Sequence, residues 1–330
     1  MTARIGLMLG DATGIGPEVA VKALAIGPLA DARVVLFADR RVLALGEREA
    51  GRTLAVRPCN GLDALDEADG AIPLIECVPA DPAALGRGAV SADSGRIVGE
   101  TLARMIAEAK AGRLDAICFA PLNKKALHDG GFTFHDEHQM FAVLTGHRGF
   151  FGEMNVIPAF STFRVTSHVS LREALALITP ERIAAAVELA DATLARMLGR
   201  RPRIGVAALN PHAGENGLFG REEIEMITPT LQALRAKGID CTGPIPADVI
   251  FIRARDGGFD GVVSMYHDQG QIATKLLGFH QGVTVTAGLE VVFTTPAHGT
   301  AFDIAGKGIA DPGAMRRALE LAARLANRST

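Results

Sequence analysis

The feature that most constrains this chain is a repeated passage from a short apolar run, through a glycine-rich or polar turn, into a segment with helical spacing. Residues 4–9 form an apolar run that breaks at Gly10-Asp11-Ala12-Thr13-Gly14-Ile15-Gly16-Pro17-Glu18, after which Val19, Ala20, Ala23 and Leu24 recur about a helical turn apart. That order predicts a strand, a tight turn and a helix with Pro in its first turn. The pattern returns with a strand at Val34–Ala38 and a helix through Leu43 to Glu49. Residues 50–90, rich in Pro, Gly, Ala and Asp, read as loop with short strands. From Ser94 to Ala111 the spacing predicts one long amphipathic helix with Ile97, Val98, Leu102, Met105, Ile106 and Ala109 on its inner face, followed by a buried strand at 115–120. Two helical runs over 171–198, a strand over Pro202–Ala208, a helix over Arg221–Lys237 and a turn at 243–248 continue the alternation. Strands alternating with helices predict an α/β architecture with helices on both faces of the sheet.

The chain has 330 residues, 48% of them hydrophobic, enough for one large or two medium domains with a real core. No low-complexity linker is visible, so a second domain would arise by chain crossing. A formal net charge of -3 without a basic run leaves no footprint for nucleic acid or an anionic membrane surface. A small-molecule ligand is expected instead. Cys59, Cys77, Cys118 and Cys241 show no paired spacing, which predicts free thiols and a reducing cytoplasm. No signal-peptide pattern and no apolar segment of bilayer length is present. Trp is absent and Tyr266 is the only tyrosine, which disfavours a sugar- or base-stacking surface.

Three histidines stand in comparable settings. His267 lies in Ser264-Met265-Tyr266-His267-Asp268-Gln269-Gly270 after the apolar Gly261-Val262-Val263, His168 follows Phe163-Arg164-Val165-Thr166-Ser167, and His212 lies in Leu209-Asn210-Pro211-His212-Ala213-Gly214-Glu215. A polar loop after a buried strand is where α/β enzymes place chemistry. One such histidine alone is more often a hydrogen-bonded structural residue; three of a kind point to a shared divalent metal. Such an ion acidifies a bound alcohol and stabilises an enolate. Lys275 would add positive charge in the same site, and Asp248 and Asp268 would orient the ligands.

Other features have a bland and a functional reading side by side. The Gly10–Glu18 turn either lets backbone approach a ligand at a helix N-terminus or is an ordinary tight turn, and its glycine spacing does not match the dinucleotide fingerprint. Asn123 and Lys124 end the 115–120 strand and are either site residues or a solvated helix start. His128, His135, His138 and His147 with Asp136 and Glu137 invite a metal reading, but their spacings match no ligand motif; only His138 is carried forward, as a substrate contact.

The segment His298-Gly299-Thr300-Ala301-Phe302-Asp303-Ile304-Ala305-Gly306-Lys307-Gly308-Ile309-Ala310-Asp311-Pro312 is similar to the adenosine-binding loop of isopropylmalate and isocitrate dehydrogenases. Together with Gly10–Glu18, Leu209–Glu215 and Tyr266–Gly270, it makes the whole chain resemble the 4-hydroxythreonine-4-phosphate dehydrogenase family. The resemblance implies an isopropylmalate/isocitrate-dehydrogenase-like fold of two α/β/α domains with an active-site cleft between them. It places a cofactor domain at 1–125 and 285–330 and a metal, substrate and dimerisation domain at 126–284. It also implies a homodimer with a shared site and NAD or NADP held by Gly14, His298, Gly299, Thr300, Ala301 and Asp303. A divalent metal (Zn, Mg, Mn or Co) would be held by His168, His212 and the partner subunit's His267. Lys275 would bind the substrate, a β-hydroxy acid that is oxidised and then decarboxylated.

Departures concern the substrate. Where the family has Gly-His-Thr-Glu, this chain has Asp136-Glu137-His138-Gln139; the family's asparagine is Thr284, and its substrate-binding arginine falls at Phe293. Exchanging a guanidinium for a ring removes a charge-assisted donor suited to phosphate. Glu137, His138, Lys275, Thr284 and Phe293 are therefore the expected substrate residues, and the pyridoxine-pathway substrate is not expected to be the physiological one. The alternatives are a threonate or erythronate 4-phosphate and a carboxylated cis-dihydrodiol. From other classes come a phosphate acyltransferase of the same broad fold and a catalytically dead binding protein.

Overall fold

The computed structural model describes residues 2–64, 70–278 and 281–327. In chain order the elements are β1 (Ala3–Met8), α1 (Gly16–Ala25), β2 (Ala32–Ala38), α2 (Arg40–Ala50), β3 (Val56–Pro58), β4 (Ile72–Glu76), α3 (Pro82–Leu85), α4 (Ala92–Lys110), β5 (Ala116–Phe119), α5 (Lys124–Asp129) and α6 (Glu137–Thr145). There follow β6 (Gly152–Val156), β7 (Ser161–Arg164), α7 (Leu171–Leu177), α8 (Pro180–Leu198), β8 (Ile204–Ala207), α9 (Thr228–Ala236), β9 (Cys241–Ile245), α10 (Ala247–Arg255), β10 (Gly261–Ser264), α11 (His267–Gly278) and β11 (Val283–Ala287). The chain closes with β12 (Val292–Pro296) and α12 (Gly313–Asn327).

The chain forms two units, Met1–Arg148 with Leu289–Thr330, and Gly149–Gly288. Residues 126–148, grouped with the second half in the sequence reading, belong to the first unit, because α6 packs on α4. The first unit's strands run β3-β4-β2-β1-β5-β12, parallel throughout. That explains the unbroken apolar runs of β1 and β5, since a parallel strand is covered on both faces. Helix α4 starts at Ser91, whose side chain caps the Ser94 N–H, and buries Val98, Leu102, Met105 and Ile106. At the end of β1, Gly10 adopts φ 75°, and a Cβ there would stand 2.6 Å from the carbonyl oxygens of Ala120 and Pro121. Only glycine fits that approach.

The second unit's strands run β11-β6-β7-β10-β8-β9, with β6 antiparallel to both β11 and β7 and the remaining pairs parallel. Its core gathers Phe160, Ile245, Ile250, Phe251, Phe259 and Val262. The helix expected over Arg221–Lys237 opens with a π-turn at Glu223–Ile227 before α9 begins. Because β7, β10 and β8 are neighbouring parallel strands, the loops at their carboxyl ends share one edge of the sheet. Those loops carry His168, His267 and His212.

Candidate active site

At that edge the second unit holds a cavity of about 200 Å³ lined by Thr166, Ser167, His168, Tyr266, His267 and Asp268, with Val169, Leu171 and Ala174 as its apolar wall. The rings of His168 and His267 are 5.5 Å apart between centroids, inclined at 42°. His267 Nδ1 is 2.6 Å from Asp268 Oδ1, so the carboxylate fixes the ring and leaves Nε2 as the ligating nitrogen. Two imidazoles on one small cavity, one already oriented by a carboxylate, are a donor set suited to a borderline divalent ion.

His212 does not line this cavity; its ring faces Phe219 at 6.2 Å. Among the described residues the three histidines of one chain do not converge on a common point, so the expected trio resolves into a pair and a separate histidine. The His212 loop is unusual in its own right. His212, Ala213, Gly214, Glu215 and Asn216 all adopt left-handed backbone, with φ from 40° to 77°. Buried Glu223 holds the loop's base: its Oε1 accepts from Leu209 N–H at 2.9 Å and Asn210 N–H at 2.7 Å, while Oε2 accepts from Asn210 Nδ2 at 2.9 Å. The π-turn that begins at Glu223 is thus tied to the loop, as π-turns near functional sites often are. Among the described residues, the non-glycine positions with positive φ are His168, His212, Ala213, Glu215, Asn216 and Ala301, all but Asn216 within segments singled out from the sequence. Backbone of that kind costs energy and persists where surrounding structure enforces it.

Of the other expected residues in this unit, Asp268 lines the cavity, whereas Asp248 and Lys275 are exposed, Asp248 in the first turn of α10 and Lys275 in the last turn of α11. Thr284 is buried on β11 and accepts from Asn155 Nδ2 at 2.9 Å. Sequence reasoning missed Glu223, Glu153, Asn155 and Arg164. The last three form a buried polar chain, in which burial pushes the Arg164 guanidinium below its ordinary pKa while Glu153 and then Asp268 oppose the shift. A polar residue at alternate positions of β6 was the only signal available.

In the first unit the glycine-rich turn and the 298–312 loop are built as one piece. Ile15 N–H donates to Thr300 O at 3.0 Å, and a Cβ on Gly14 would stand 2.7 Å from Thr300. The space beside Gly14 is therefore filled by protein, which favours close packing over direct ligand approach at that residue. Arg87 donates to Ala12 O at 2.6 Å and Gly14 O at 2.7 Å, and Lys22 Nζ donates to Gly308 O and Ala310 O, each at 2.9 Å. A Cβ on Gly299 would meet nothing within 4 Å, Ala301 is left-handed at φ 43°, and Asp303 is exposed. That part of the loop is open to solvent rather than packed against protein.

Phe293 is 1% exposed and stacks on Phe141 at 4.1 Å and 6°, with Phe119 set edge-on to Phe141 at 5.6 Å. Its ring is a core element of the first unit rather than a surface that meets substrate. Glu137 and His138 are also buried, and Glu137 pairs with Lys124 at 3.2 Å. Asp136 caps α6 by accepting from Gln139 N–H at 2.8 Å, and Gln139 Oε1 accepts from His135 N–H at 2.7 Å. Part of the His/Asp/Glu cluster is thus a reciprocal helix cap. Asn123 likewise caps α5 through Ala126 N–H at 2.9 Å.

Comparison with known proteins decides the family. Residues 30–322 match the model of the pyridoxal phosphate biosynthetic protein PdxA. The chain belongs to the PdxA family. Within it, the chain is 45% identical over 328 residues to the D-threonate 4-phosphate dehydrogenase of Cupriavidus necator, covering 98% of this chain and 97% of that one. The PdxA fold is shared with the crystal structure of a 4-hydroxythreonine-4-phosphate dehydrogenase from Burkholderia phymatum, at TM-score 0.81 and 42% identity with 98% of each chain covered. A terephthalate 1,2-cis-dihydrodiol dehydrogenase from Burkholderia xenovorans also matches, at TM-score 0.67 and 29% identity with 98% of each chain covered. The α/β fold expected from the sequence is thus the PdxA fold.

Proposed function

We propose that this PdxA-family chain is a metal-dependent, NAD- or NADP-linked dehydrogenase that oxidises the hydroxyl of a β-hydroxy acid, after which the β-keto acid loses carbon dioxide. The observation that carries the reading is the His168–His267 pair on one cavity, with Asp268 bonded to His267. His168, His212 and His267 are the proposed metal ligands, with an oligomer completing the set that one chain does not bring together. When bound, the ion supplies a Lewis acid and the nicotinamide a hydride acceptor.

The chain's own residues do the rest. Asp268 holds the His267 ring, Thr166, Ser167 and Tyr266 offer hydroxyl partners around the cavity, and Leu171 with Ala174 keeps its wall apolar. Lys275 and Asp248, exposed on α11 and α10, are assigned to substrate binding and proton handling at a site formed by two subunits. The loop around His298, Gly299, Ala301 and Asp303 is assigned to the adenosine end of the cofactor. A homodimer is supported by the apolar face of α11: Ile272 and Leu276, four residues apart, are 60% and 82% exposed. Among the described residues no helix is long and apolar enough to cross a membrane, and the four cysteines are free, in keeping with the proposed cytoplasmic location.

For the substrate, a small hydroxy acid is proposed, with 4-phosphohydroxy-threonine disfavoured because the family's substrate-binding arginine has no counterpart at Phe293, whose ring is part of the core. The Cupriavidus relative favours a tetronate 4-phosphate, and the Burkholderia xenovorans likeness favours a carboxylated cyclic diol. Metal retention tests the site. His168→Ala and His212→Ala are each expected to lose bound zinc or cobalt by elemental analysis, and full retention by either refutes that ligand.

A further inference from the structure

The second unit's sheet carries a buried charged pair that the reading above does not use. Glu153 and Asn155 alternate on β6 and therefore face one side, while β11 sets Thr284 opposite Asn155. The Arg164 side chain is 4% exposed and that of Glu153 11%. Arg164 Nη2 donates to Asn155 Oδ1, and Asn155 Nδ2 donates to Glu153 Oε1 and Thr284 Oγ1, each at 2.9 Å. Glu153 Oε2 then lies 3.5 Å from Arg164 Nη1 and 3.9 Å from His168 Nε2. One carboxylate stands between a buried guanidinium and the ring of His168.

Stability gives no reason to keep this pair. A buried ion pair is commonly no better than apolar residues of the same volume. Arg164 Nη1 also has no hydrogen-bond acceptor, a cost on the order of 1–3 kcal/mol for a buried donor. The neighbouring histidine shows what a carboxylate does here, since Asp268 fixes the ring of His267. His168 itself sits on left-handed backbone at φ 49° and lines the cavity, where the direction of its ring decides what it can bind.

We propose that Glu153 is the positioning residue of His168: its carboxylate, clamped by Arg164 and Asn155, accepts from Nε2 and presents the Nδ1 edge to the metal. The proposal rests on the reading of His168 as a ligand given above. The 3.9 Å approach is longer than a hydrogen bond, so the His168 ring must close on Glu153 in solution before any metal binds, which the metal-free spectrum below reads. Partners that orient a metal-bound histidine are typically worth about 10–100-fold in metal affinity.

The test uses cobalt(II) titration against a competing chelator, and long-range nitrogen–proton spectra of histidine-labelled protein without metal. Glu153→Gln leaves Arg164 without its counter-charge and is therefore paired with the double variant Glu153→Gln/Arg164→Met, which removes both charges. The double variant is expected to melt close to the parent when metal-free, to bind cobalt about 10–100-fold more weakly, and to turn a single Nε2–H tautomer of His168 into a mixture. Unchanged cobalt affinity in a folded double variant overturns the proposal. Should the parent bind no cobalt, the metal reading fails by itself and the ring spectrum decides: loss of the single tautomer in the double variant upholds Glu153, and an unchanged spectrum overturns it.

Discussion

Replacing Phe293 by Ala separates a core role for this residue from a substrate-facing one. The ring is 1% exposed, lies flat on Phe141 of α6 at 4.1 Å, and sits on β12 beside β5, so it is packed between a sheet strand and a covering helix. An aromatic side chain buries roughly 150–200 Å², and at about 25 cal/mol per Å² its removal forfeits about 4–5 kcal/mol. Sheet and helix backbone cannot collapse into the gap, which keeps the expected loss at about 3–5 kcal/mol. Denaturant unfolding followed by far-ultraviolet circular dichroism reads this as a lower midpoint at unchanged slope. Phe293→Arg should be at least as costly, since it would take a guanidinium out of water into the place of a buried ring. If the alanine variant loses less than about 1 kcal/mol, or the arginine variant folds at parental stability, the ring is not a core element.

Two further predictions concern charge and thiols. Asp260 accepts from Arg200 at 2.7 Å and from Arg203 N–H at 2.8 Å, and Arg200 above all holds its carboxyl well below the usual range. A depressed folded pKa means stability that is present above the unfolded value of about 4 and is lost as the pH falls through the folded one; Asp260→Asn should flatten acid unfolding below about pH 4, and an unchanged acid limb would count against the pairing. Burial pushes the Cys118 thiol up to about 12 and the Cys77 thiol up to about 11. Both should resist thiol-disulfide reagents in the native protein and react on unfolding, and rapid native labelling of Cys118 would contradict its place in β5.

Much of the fold was legible because α/β units write themselves locally. The apolar run at β1, the glycine turn and the start of α1 are each set by near neighbours, and the two helical runs over 171–198 appear as α7 and α8. The histidine segments were legible for the same reason, as polar loops after buried strands. What stayed hidden depends on distant partners. Glu153, Asn155 and Arg164 look like ordinary polar residues in weak strands until β6 and β7 are paired, and the π-turn at Glu223 makes sense only once that side chain is seen holding Leu209 and Asn210. Phe293 misled for a related reason: a position compared by motif alone gave no sign that Phe141 covers its ring. The acidic residues at 136 and 137 divided into a helix cap and an ion pair, a distinction that spacing cannot make.

The most direct test of the whole account is cofactor reduction in the presence of divalent metal. The protein, supplied with zinc, cobalt, manganese or magnesium and either NAD or NADP, is offered phosphorylated and unphosphorylated hydroxy acids and carboxylated cyclic diols, with absorbance reporting the reduced nicotinamide. The account predicts turnover on at least one of these, stopped by a chelator and restored by metal, with 4-phosphohydroxy-threonine a poor substrate. Turnover that is indifferent to chelation, or a protein that binds neither nucleotide in calorimetry, would contradict it.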